Sequence, residues 1–81
     1  MSNTDTSTDA KYSTVRYYRE RGYKVEQHGN ALVMTRWVED DNRIDFMTTT
    51  LSGCIDLDLS FPDTVHGRLA FQAVFATFTN G

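Results

Sequence analysis

The chain has little of what fixes a reaction or staples a small domain. Cys54 is the one cysteine among 81 residues. No internal disulfide is therefore available, and the expected compartment is the reducing cytoplasm. The two histidines, His28 and His66, lie far apart, and neither shares close ligand spacing with Cys54. That spacing excludes the usual zinc patterns, and no cofactor is expected. No apolar run approaches the ~20 residues of a membrane span. Met1 to Ala10 is Ser, Thr, Asp and Asn without an apolar core, so a signal peptide is not expected there. Glycine-rich phosphate loops, internal repeats and low-complexity tracts are also missing.

What is present is enough for one small domain. The chain is 40% apolar and 23% charged, and its Phe, Tyr, Ile and Leu residues separate it from disordered sequences. At this length a single core forms, burying roughly 60% of the surface that the unfolded chain exposes. Residues 1–9 read as a flexible polar tail and residues 10–81 as the domain.

Charge is distributed unevenly. All four tyrosines fall between Tyr12 and Tyr23, interleaved with Lys11, Arg16, Arg19, Arg21 and Lys24. Residues 1–24 carry these five bases against three acids, net +2, and residues 25–81 carry three bases against eight acids, net −5. Such polarity points to a surface that meets another macromolecule, since solubility alone needs only mixed signs. Net acidity weighs against direct nucleic-acid binding, which draws its affinity from neutralising phosphates.

The pattern of elements is helix, four strands, helix. Asp9 reads as the N-cap of a helix over Ala10–Arg21, and Gly22 as its stop. At 100° per residue Tyr12, Val15 and Tyr18 share an inward face, and Tyr17 lies nearly opposite among charges. Tyr23–His28 and Ala31–Val38 flank Gly29-Asn30, a hairpin signal. Glu39–Asn42 forms a second turn, and Ser52-Gly53 joins Arg43–Leu51 to Cys54–Phe61. Alternation across that loop sets Ile44, Phe46, Thr48 and Thr50 against Phe61, Leu59, Leu57 and Ile55. If the four-residue turn pairs Val38 with Arg43, Arg36 comes opposite Asp45 on the open side; the other register exposes Val33 and Trp37 instead. Pro62 and Asp63 read as the start of the last helix, whose Phe71, Val74, Phe75 and Phe78 form a stripe and whose alanines imply deep packing.

The expected fold class is α+β, a two-layer sandwich with both helices on one face of an antiparallel four-stranded sheet. The second strand is then anomalous. It is apolar on both faces, which leaves an open sheet face with an apolar patch suited to a homodimer.

Asp56 and Asp58, two apart on one strand with Asp45 nearby, admit a cation site or an acid–base pair. Plain solvation of an open sheet face by alternate acids is the simpler account of them. A third use is mimicry of phosphates by spaced carboxylates. The basic helix offers Arg16, Tyr17 and Arg21 for phosphate contact and stacking, although core packing accounts for three of the four tyrosines.

The stretch Val15–Met34, with its helix, Arg21-Gly22-Tyr23, a strand, His28-Gly29-Asn30 and a second strand, resembles the opening of HicA-type messenger-RNA interferases. The resemblance implies an α-β-β-β-α layout and RNA cleavage with His28 as the candidate acid or base. In that family the catalytic histidine follows a glycine and a serine, whereas here His28 precedes Gly29.

The reading that best covers these features is a non-enzymatic, protein-binding inhibitor. In size and charge it is similar to phage or mobile-element inhibitors of host defence, such as anti-CRISPR proteins. It would occupy the nucleic-acid-binding or assembly surface of a basic host protein. The expected contacts are Glu39, Asp40, Asp41, Asp45, Asp56 and Asp58, with Arg16, Tyr17 and Arg21 as a second patch. The alternative is a HicA-like toxin or a small nucleic-acid-binding regulator that uses the basic helix.

Overall fold

The computed structural model describes residues 4–79. Helix α1 (Thr4–Arg19) is followed by strands β1 (Lys24–His28), β2 (Ala31–Val38), β3 (Arg43–Thr50) and β4 (Ile55–Pro62), and helix α2 (Val65–Thr79) ends the fold. A short 3-10 turn, Glu39–Asp41, joins β2 to β3. The strands form one antiparallel sheet in the order β1-β2-β3-β4. The α+β class and the order of elements are those expected from the sequence.

Turn chemistry sets the element ends. After α1, the Tyr23 N–H donates to the Tyr18 carbonyl at 3.1 Å and the Gly22 N–H to the Arg19 carbonyl at 3.0 Å. This is a Schellman stop, and it places Gly22 at φ +90, where a side chain would be strained. The helix begins at Thr4, so Asp9 lies within it rather than at its cap. Ser, Thr and Asp each lower helix propensity by less than about 0.7 kcal/mol, too little to stop a helix. The first residues of the expected tail, 1–3, lie outside the described residues.

Pro62 also differs from expectation. It ends the edge strand β4, paired with Arg43, instead of opening a helix, a place proline tolerates because an edge N–H is not needed. Thr64 caps α2, its hydroxyl accepting from the Gly67 N–H at 3.0 Å.

The largest correction concerns layering. Val33, Ile44 and Phe46 pack with Phe71, Val74 and Phe75 of α2. Val25, Leu32 and Met34 pack with Val15 and Tyr18 of α1. Successive strand residues point to opposite faces, so the two helices lie on opposite sides of the sheet. The molecule therefore has three layers, and the face expected to lie open is the one that α1 covers. This resolves the anomaly of β2, since Leu32, Val33 and Met34 are all almost fully buried. A strand sandwiched on both faces needs no alternation. Each fully buried side chain of this set adds about 1.5–3 kcal/mol of hydrophobic stabilisation.

Two details follow from that arrangement. The inward side of α1 carries Thr14, Val15 and Tyr18, while Tyr12, expected inward, is 63% exposed. Helix α2 buries only Gly67 and Phe71 and leaves its outer side in solvent. It is not the deeply packed element its alanines implied. Among the described residues nothing covers its outer side, which carries Val65, Leu69 and Ala73 beside His66 and Thr77.

Candidate protein-binding surface

Val38 lies opposite Arg43 and Arg36 opposite Asp45, which selects one of the two registers that the sequence leaves open for β2 on β3. Side chains complete what that register begins. Asp45 Oδ2 accepts from Arg36 Nη2 at 2.7 Å and from Arg36 Nε at 3.1 Å. Asp45 Oδ1 accepts from Arg43 Nε at 2.8 Å and from the Ser60 hydroxyl at 2.9 Å. Burial pushes the Asp45 carboxyl up, but hydrogen bonds from Arg36, Arg43 and Ser60 outweigh it and hold its pKa below the ordinary value.

Asp45 is thus buried and saturated, which removes it from the expected contact set. Its position opposite Arg36, with Ser60 across on β4, makes it a structural anion. Asp41 is also engaged, accepting from Arg43 Nη1 at 2.8 Å.

The remaining acids are exposed, and among the described residues none has an ion-pair partner. Glu39 and Asp40 project from the 3-10 turn at one end of the sheet. Asp58 lies on β4 opposite Met47. Asp56 is the extra residue of a bulge, because Leu57 pairs with Thr48 and Ile55 with Thr49. The bulge interrupts the alternation expected to place Asp56 and Asp58 on one face. It also sets Ile55 opposite Thr49 rather than Thr50, where Ile55 is exposed instead of facing the core. Asp56 pairs near the far end of β3 from Arg43, six strand positions away or roughly 20 Å. The acids therefore form two groups.

The basic patch is joined to this region. Arg16, Tyr17 and Arg21 are all exposed on α1 and the turn after it. The Arg21 guanidinium stacks on the Tyr17 ring with its carbon 3.4 Å from the centroid, and Arg21 Nη1 donates to the Tyr17 carbonyl at 2.8 Å. Tyr17 meets Tyr18 edge-on, and Tyr18 meets Tyr23 in the same way. Arg36 covers the Tyr23 ring at 4.4 Å and donates to the Arg21 carbonyl at 2.9 Å. Tyr23 has its hydroxyl pKa raised, by burial first and by the charges of Asp45 and Asp58, against the opposing pull of Arg36. Arg36 is the hinge of the whole constellation, tying α1 to Asp45.

Beside Arg36 lies an open groove of about 510 Å³, lined by Gly22, Trp37, Val38, Glu39, Asp40 and Arg43 as well as Arg36 itself. Trp37 is 49% exposed. Its ring meets Phe71 edge-on at 5.5 Å. Strand β1 reaches only Lys24, which pairs with Thr35, so no β1 residue stands beside Trp37. On the other side Asp63 receives Arg68 at 2.6 Å. Arg68 first, and the Trp37 indole as a lesser donor, keep the Asp63 pKa low. Trp37 was not among the expected contacts. Its signal in the sequence was its position as the sole tryptophan, immediately before the acidic turn.

His28, the candidate acid or base of the enzymatic alternative, lies half-buried on the edge strand β1. Its Nε2 sits 3.0 Å from Glu26 Oε1, a bond that lowers the Glu26 pKa more than any other influence. Cys54 is exposed in the turn before β4. No protein-family description matches the chain, and neither a curated protein nor a solved structure matches it.

Proposed function

We propose that this protein is a non-enzymatic binding module that docks on the basic surface of a partner protein. The observation that carries this reading is the half-exposed Trp37 flanked by the unpaired Glu39 and Asp40. A tryptophan that keeps half its surface in water while one edge is braced by Phe71 has the character of an interface anchor. Adjacent carboxylates select a partner with Lys or Arg and steer its approach. The matching partner surface is one that otherwise holds phosphates, so the module would act as an inhibitor of nucleic-acid binding, as phage anti-defence proteins do. Asp41 and Asp45 support the acidic contact from within by fixing Arg43 and Arg36.

The test is affinity capture from nuclease-treated host lysate with wild-type protein and a Trp37→Ala, Glu39→Lys, Asp40→Lys variant in parallel. The expected result is one stoichiometric protein on the wild type and none on the variant. Retention of the same protein by the variant would place the contact elsewhere. Loss of every partner on nuclease treatment would return the weight to nucleic-acid contact through Arg16, Tyr17 and Arg21.

A further inference from the structure

Strand β2 outruns its neighbour on one side. It extends from Ala31 to Val38, whereas the pairing of β1 ends at Lys24 opposite Thr35. Arg36, Trp37 and Val38 therefore pair with β3 alone. The chain before Lys24 is committed elsewhere and does not extend β1 to cover them. The N–H groups of Gly22 and Tyr23 are bound to carbonyls of α1, and the Arg21 carbonyl accepts from Arg36. The helix stop thus leaves a notch in the sheet edge, and the groove of about 510 Å³ lies there.

The register shows which backbone groups face the notch. His28 and Ala31 flank the two-residue turn Gly29-Asn30, with Gly29 at φ +64. Such a turn closes on a hydrogen-bonded pair, so Ala31 directs its N–H and C=O toward β1. Along an antiparallel strand these groups alternate between the two sides. Val33, Thr35 and Trp37 therefore share the direction of Ala31. Thr35 meets Lys24 there. The Trp37 N–H and C=O point past the end of β1, and among the described residues neither has a hydrogen-bond partner.

The surroundings select the occupant. A donor and an acceptor in strand geometry are matched by the main chain of an extended peptide. A residue placed opposite Trp37 projects its side chain to the same face of the sheet, beside the indole. Glu39 and Asp40 line the same groove and have no ion-pair partner among the described residues. The two arginines of the groove are already engaged, Arg36 by Asp45 and Arg43 by Asp41 and Asp45. The uncompensated charge at the notch is negative. The residue that fits opposite Trp37 is therefore Lys or Arg, stacked on the indole.

We infer that the notch beyond β1 receives an extended basic segment of the partner, whose Lys or Arg exchanges both backbone hydrogen bonds with Trp37. The inference rests on the docking surface proposed above and gives the form of partner that it takes. Three residues of the segment, roughly 10 Å of strand, span Arg36–Val38. Charge selects the side chain, and the main chain fixes its register.

Amide NMR of the isotope-labelled full chain tests this with a capped pentapeptide, Ala-Lys-Arg-Lys-Ala, at millimolar concentration. Copies N-methylated at each residue in turn, and an acidic counterpart, Ala-Glu-Glu-Glu-Ala, are the controls. The expected result is a saturable shift of the Trp37 amide, with slower solvent exchange of that amide and no response to the acidic peptide. Methylation at one residue should weaken binding roughly fivefold, as the loss of one hydrogen bond does. Shifts at Glu39 and Asp40 with a freely exchanging Trp37 amide, and equal binding of every methylated copy, overturn the inference but leave the docking surface standing. Absence of any shift with the basic peptide also overturns it, whereas capture of a partner through Trp37 is read separately. A Trp37 amide protected in the free protein, and more so at higher protein concentration, assigns the edge to a second copy and likewise overturns it.

Discussion

Arg36 Nη2 lies 2.7 Å from Asp45 Oδ2, and the same guanidinium covers the Tyr23 ring and holds the Arg21 carbonyl. This one side chain connects the sheet to the end of α1. A buried carboxylate with five donor atoms around it is stable only while they are in place.

Replacing Asp45 with Asn should cost about 2 kcal/mol at neutral pH. Loss of a fully buried pair costs roughly 3–5 kcal/mol, and here the figure is reduced because both guanidinium partners retain solvent contact. Urea unfolding followed by circular dichroism measures it.

The pH dependence of stability has a defined sign. Asp45 titrates below the ordinary aspartate value of 3.8, so its contribution is fully present above that value. It is lost as pH falls through the lower folded-state value, because the unfolded chain then binds more protons. Glu26 and Asp63 are depressed in the same direction. Stability should therefore fall below about pH 4, and Asp45→Asn should flatten that fall. Unfolding midpoints between pH 2 and 7 provide the comparison, and an equally steep acid limb in the variant would contradict it.

Gly67 controls the seating of α2. A Cβ at this position would collide with the Pro62 carbonyl oxygen, a backbone atom that cannot swing aside. Gly67→Ala should destabilise by about 2 kcal/mol or more, even though alanine is the better helix former. A neutral or stabilising result in thermal melts would show that α2 is free to shift on β4.

Stability and binding should separate at Trp37. Trp37→Ala removes an edge-on aromatic contact, costing about 1 kcal/mol of stability. As the interface anchor its loss should weaken partner binding by about 2 kcal/mol or more, roughly 30-fold. Added salt should weaken binding of the intact protein further, since exposed carboxylates contribute the steering.

How much of this could be read from the chain varies with the range of the interaction. The four strands and their turns followed from local patterns: Gly-Asn, Ser-Gly and period-two alternation, whereas the Arg36–Asp45 pairing belonged to one of two registers that those patterns allow. The side of the sheet taken by each helix did not, because a helix pattern shows which face is apolar but not which layer receives it. The two-faced strand β2 held that information, since Leu32, Val33 and Met34 together demand cover on both sides. The bulge at Asp56 was hidden because one extra residue leaves the surrounding sequence pattern almost unchanged. Asp45 reads as a surface acid in the sequence because its side of the sheet is expected to lie open, the side that α1 covers. Its saturation by Ser60 across on β4 and by Arg43 two positions away depends on three-dimensional packing.

The central claim, that Trp37 and its neighbouring acids form the docking surface, is tested most directly by the emission of the single tryptophan during titration with the captured partner. Half-exposed Trp37 should shift to shorter wavelength as the complex forms, and Glu39→Lys with Asp40→Lys should suppress the shift at partner concentrations that saturate the wild type. Saturable binding with no change in Trp37 emission would contradict the account.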